Sequence, residues 1–69
     1  MPRDVPIRGE MIRLGQLLKL AGAVDTGGQA RSLLDDGTVS VNGEVESRRG
    51  RQLAVGDVVR VPGRELRLT

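Results

Sequence analysis

Val39-Ser40-Val41-Asn42-Gly43-Glu44-Val45-Glu46 is where the period of this chain changes. Val39-Ser40-Val41 alternates apolar and polar residues, Asn42-Gly43 tolerates the positive φ of a tight hairpin turn, and Glu44-Val45-Glu46 returns. This reading puts Val39, Val41 and Val45 on one buried face. Upstream the period is helical. Leu14, Leu17, Leu18 and Ala21 fall at i, i+3, i+4 and i+7, which predicts a helix over 13–22 with Gln16 and Lys19 turned away from the stripe and Gly22 as its stop. Thr26-Gly27-Gly28-Gln29 fits a capping box, and Ala30, Leu33 and Leu34 continue it as a helix over about 27–36. Gly37 suits the left-handed position after that helix. Downstream, Leu53 and Val55 precede a Gly56-Asp57 turn, Val58–Val61 reads as a strand, Pro62-Gly63 as a turn and Glu65–Leu68 as a last strand. In the N-terminal arm, residues 1–9, Val5-Pro6-Ile7-Arg8 has the pattern of a short edge strand, where proline is tolerated. The expectation is an α+β fold, two short helices packed on a small antiparallel sheet, with residues 10–69 as a single domain.

The 69 residues suffice for one domain, which at this size buries only ~60% of the surface its unfolded chain exposes. With no cysteine and no histidine, disulfides and zinc fingers are excluded, and the commonest general base and the best thiol nucleophile are missing. With no Phe, Tyr or Trp, bases cannot be read by stacking on aromatic rings, so nucleic-acid recognition has to rest on charge, shape and hydrogen bonds. No apolar run approaches the ~20 residues of a membrane span. Met1-Pro2-Arg3-Asp4 lacks the apolar segment of a secretory signal, so a soluble cytoplasmic protein is expected. The net charge of +2 is uneven. Residues 1–46 carry five basic and seven acidic side chains, a balance of −2, and residues 47–69 carry six arginines and two acids, a balance of +4. Arginine matches phosphate bidentately. The asymmetry fits either contact with nucleic acid or a solvated surface.

Asp35 and Asp36 are adjacent and diverge by ~100° on a helix, so they do not form an acid–base pair. Gly27-Gly28 lacks the Gly-Lys-Ser/Thr ending of a nucleotide-binding loop. The start of the second helix nevertheless exposes backbone N–H groups that suit one phosphate of an RNA backbone, alongside its plainer role as a cap. The main candidate site is Arg48-Arg49-Gly50-Arg51, a loop that can set several guanidinium groups on neighbouring phosphates and gain affinity by counterion release. Lys19 and Arg31 extend from the helices and are expected to converge with that loop on one surface.

Taken in order, Ile12–Leu20, Thr26-Gly27-Gly28-Gln29-Ala30-Arg31, Val39–Gly43, Arg48-Arg49-Gly50-Arg51 and Val55-Gly56-Asp57-Val58-Val59 resemble the S-four RNA-binding domain family, named for small-ribosomal-subunit protein four. The likeness is greatest to its small stand-alone members of the YaaA and YbcJ type, and it covers about residues 10–61. It implies two helices on a small sheet (the alpha-L motif) and binding of structured RNA through the helical pair and the adjoining basic loop. In that family the second helix usually opens with serine and arginine. Here Thr26 and Gly27 stand in those places, so the arginine contact does not carry over. Gly15 stands where the wider family often has an acid.

The function expected is non-catalytic recognition of structured RNA, ribosomal RNA or ribosomal particles in particular, in ribosome assembly or translation. The site would comprise Lys19, Thr26, Gly27, Gly28, Gln29, Arg31, Arg48, Arg49 and Arg51. No enzyme activity, cofactor, metal, small-molecule substrate or membrane partner is expected, and a monomer is, since no heptad seam is present. The competing expectation is a protein-interaction module presenting its basic surface to an acidic partner.

Overall fold

The computed structural model describes residues 3–7, 9 and 11–69. The chain runs β1 (Arg3–Val5), β2 (Met11–Arg13), α1 (Leu14–Leu20), α2 (Gly27–Asp35), β3 (Ser40–Val41), β4 (Glu44–Val45), β5 (Gln52–Ala54), β6 (Val58–Val61) and β7 (Arg64–Leu68). Five strands form one sheet in the order β1-β7-β6-β3-β4, while β2 and β5 pair as a separate antiparallel ribbon. The α+β expectation holds, and both helices lie close to their expected bounds. The main sheet is mixed rather than antiparallel, because β1 runs parallel to β7 with Val5 opposite Leu68. The edge strand thus sits at 3–5 rather than 5–8. Arg8 lies outside the described residues.

One apolar cluster holds the layers together. Leu14, Leu17 and Leu18 of α1 and Ala30 and Leu34 of α2 pack with Val41, Val59, Val61, Leu66 and Leu68 of the sheet, and with Leu53 of the ribbon. Each helix ends where a glycine adopts positive φ, Gly22 at 74° and Gly37 at 72°. The hairpin turn forms as expected, with Asn42 at φ 52° and Gly43 at φ 90°. The Asn42 side chain also ties this turn to the next one, since its Oδ1 accepts from Val58 N at 2.9 Å and its Nδ2 donates to Asp57 at 3.2 Å.

The placement of Val45 in the core is overturned, because it is 69% exposed. A two-residue turn pairs Val41 with Glu44 and Ser40 with Val45, so Val45 shares the outer face of the sheet with Ser40 and Arg60. The same parity turns the next residue inward. Glu46, whose N–H donates to Val39 O at 2.9 Å, is the buried charged residue among those described. The helix expected from residue 13 begins instead at Leu14, and Met11–Arg13 forms β2, paired with Gln52–Ala54. Three residues are too short to show a period, and only the partner strand fixes their conformation.

Candidate functional site

The arginine loop is stitched to the start of α1. The first N–H groups of a helix have no partner within it. Here Leu14 N donates to Arg51 O at 2.9 Å and Gly15 N to Arg49 O at 3.0 Å. A third interaction closes the turn, as Gln16 Oε1 accepts from Arg13 N at 3.2 Å. The loop therefore lies across the helix end and passes close to Gly15. A Cβ at Gly15 would sit 3.5 Å from the Arg49 Cβ, so a longer side chain there would press on the loop.

The loop is held from beneath by Glu46. Its carboxylate accepts from Arg48 Nε and Nη2 at 3.2 and 3.0 Å, from Arg51 Nη1 at 3.1 Å, and from the backbone N–H of Ser47 and Arg48. The Arg48 hydrogen bonds, and after them the one from Arg51, hold the Glu46 carboxyl at about 2, and the same contact raises Arg48 above its ordinary value. Two of the three loop arginines thus share one anion.

Arg49 is the arginine left for another partner. It reaches over a hollow of about 270 Å³ lined by Arg13, Gly15, Gln16, Lys19, Gly27, Ala30, Arg49 and Gly50. Its Nη1 lies 3.9 Å from where a Cβ on Gly27 would be. Three cations, Arg13 and Lys19 from the start and body of α1 and Arg49 from the loop, surround this hollow, and among the described residues no acidic side chain lines it. Gly27 leaves bare backbone in its wall, so an oxyanion can come close to the first turn of α2. Among the described residues no three groups of metal-ligating type come together.

Residues 5–69 match the model of the S4 domain. The chain belongs to the S4 domain family. A relative in Bacillus subtilis (strain 168), named probable ribosome maturation protein RlbA, is 49% identical over 63 residues, which span 91% of this chain and 89% of that protein. The resemblance drawn from the motifs is therefore correct at the level of the family.

Within this S4 domain the nine expected site residues divide. Lys19, Gly27 and Arg49 meet at the hollow. Thr26, Gly28 and Gln29 line a different depression, on the other side of the α2 start, that also contains Asp36. The capping box forms with a shift: Thr26 Oγ1 accepts from Gln29 N at 3.1 Å, but Gln29 Oε1 accepts from Asp25 N at 2.7 Å rather than from Thr26. Arg31 stands one turn beyond Gly27, exposed, 4.0 Å from Asp35, in a contact that solvent renders weak. Arg48 and Arg51 sit on Glu46.

Sequence reasoning missed Arg13 and Glu46. The hairpin parity that exposes Val45 also buries Glu46, so the turn alone contained that signal. For Arg13 no local signal existed. The C-terminal charge excess was also a poor guide. Arg60 pairs with Glu65 at 3.0 Å, and Arg64 donates to the Ala21 and Gly22 carbonyls at the end of α1 at 3.1 and 3.3 Å, so neither belongs to the hollow.

Proposed function

We propose that this S4 domain is a non-catalytic RNA-binding protein that seats the phosphate backbone of a structured RNA in the hollow between α1, α2 and the 48–51 loop. The observation that carries this reading is the meeting of Arg13, Lys19 and Arg49 around one concavity that no acidic side chain lines among the described residues. Each cation that neutralises a phosphate releases counterions, which supplies affinity independent of sequence. The deep groove of an RNA helix hides its base edges, so selection there rests on the spacing of phosphates and on shape. Arg31, on the same face of α2 as Gly27, extends the basic surface. Arg48 and Arg51 contribute by fixing the loop, with the exposed Arg48 at its rim. Thr26, Gly28 and Gln29 set the first turn of α2, and the Gln29 amide offers a contact to a sugar or backbone group.

The relative's name, which refers to ribosome maturation, supports ribosomal RNA of a maturing particle as the target; in this proposal a monomer of this chain binds it in the cytoplasm. Crosslinking in cells followed by sequencing of the bound RNA tests it. Ribosomal RNA is the expected product. A titration with hairpin RNA that stays flat at about 50 mM salt, where phosphate contacts are strong, would refute the reading.

A further inference from the structure

Beside the cationic hollow lies an open apolar groove of about 470 Å³, lined by Pro6, Met11, Ile12, Gln16 and Leu20. Met11 and Leu20 are each 57% exposed and line the same groove. A smaller depression of about 190 Å³, bounded in part by Arg13 and Gln52, continues from it. Both share Gln16 with the hollow, and the second also shares Arg13. Cationic and apolar surfaces therefore adjoin across the width of one or two side chains.

We infer that this groove receives one unpaired nucleobase of the RNA whose phosphates occupy the hollow; the inference rests on the RNA-binding reading above. A ligand suited to both surfaces carries an anion and, directly beside it, a flat group of low charge, which describes a nucleotide whose base has left the stack. A base inside a duplex shows only its edge, whereas a bulged or loop nucleotide can present its face to a thioether and aliphatic side chains. The Met11 side chain adapts to such a shape. Gln16 is placed to read the base, because its Oε1 is held by Arg13 N–H while its Nε2 is left to donate to a base carbonyl or ring nitrogen. The site thus selects a helix interrupted by an extruded nucleotide over a continuous one.

The test uses the full chain and three hairpins of one sequence: with a single bulged 2-aminopurine, with an abasic residue at the bulge, and fully paired. The chain has no aromatic residue to quench the probe, so transfer of the base from the stack to the groove raises its emission. The expected result is binding of the bulged hairpin on the order of tenfold tighter than the other two, equivalent to about 1.4 kcal/mol. Met11→Ser/Leu20→Ser is expected to bind all three alike, at the wild-type affinity for the paired hairpin and with an unchanged salt slope, whereas Met11→Leu keeps the preference. The single variants Met11→Gln and Leu20→Gln give the same readout if the double variant does not fold. Equal binding of the abasic and base-bearing bulges overturns the inference, as does a preference that survives loss of Met11 and Leu20. So does a wild-type dimer that these substitutions dissociate, since the groove would then hold a second copy. Salt-dependent binding of the paired hairpin without bulge preference removes the base site alone, while no binding to any hairpin removes the RNA reading with it.

Discussion

Replacing Arg49 separates a cation that binds from cations that build. Of the loop arginines, Arg48 and Arg51 already donate three side-chain hydrogen bonds to Glu46, whereas Arg49 faces the hollow. A protein that neutralises Z phosphates loses affinity with salt at a logarithmic slope of about −0.9Z on duplex, so removing one contact reduces the slope by about 0.9. Between about 50 and 200 mM salt, a fourfold change, the three cations of the hollow account for a loss of about 40-fold, and two of them for about 12-fold. The penalty of Arg49→Ala is therefore expected to be about 3.5 times larger at the low salt than at the high salt. Arg49→Glu should weaken binding further by placing a carboxylate against the phosphate. Arg48→Ala should leave the slope nearly unchanged, because that guanidinium is shared with a carboxylate. Anisotropy of a labelled hairpin RNA measures all three, and circular dichroism confirms folding. A slope that falls for Arg48→Ala and not for Arg49→Ala would refute the assignment of roles.

Three further outcomes follow from the geometry. Glu46 has its carboxyl lowered from 4.5 to about 2, so its contribution to stability is complete above pH 4.5 and is lost as the pH falls toward 2. Thermal melts of Glu46→Gln should accordingly depend less on pH across that window than those of the wild type, and equal slopes would show that the clamp adds nothing to folding. Gly27→Leu should fill the hollow beside Arg49 and abolish RNA binding while the melting temperature stays near that of the wild type; retained binding would move the site elsewhere. Leu53→Ala removes a fully buried side chain that joins the β2–β5 ribbon to the core, at a cost of about 2–5 kcal/mol. Urea denaturation should show most of this small domain's stability gone, and a loss under 1 kcal/mol would mean that the ribbon packs loosely.

The parts of the fold legible in the sequence were those fixed by local chemistry. The stripe from Leu14 to Ala21 is wholly buried at its four marked positions. Thr26 caps α2, and the Asn42-Gly43 turn forms, because one side chain or one φ preference decides each. Strands of two or three residues were harder. Residues 11–13 become strand only through pairing with 52–54, and residues 3–5 only through parallel pairing with β7. Of the candidate site, the arginine loop and Lys19 were visible as charges, but which of them stays available was not. That depended on Glu46, and its burial follows from hairpin register rather than from residue type.

By itself the sequence determined the helices, the tight turns, the lack of aromatic and histidine chemistry, and the family. These follow from short-range periodicity, composition and motif order. The tertiary structure decided which charges cancel and which gather. Electrostatic pairing depends on distance in space, and folding sets Arg48 and Arg51 against Glu46 while bringing Arg49 from a distant loop to Arg13 and Lys19 around one hollow.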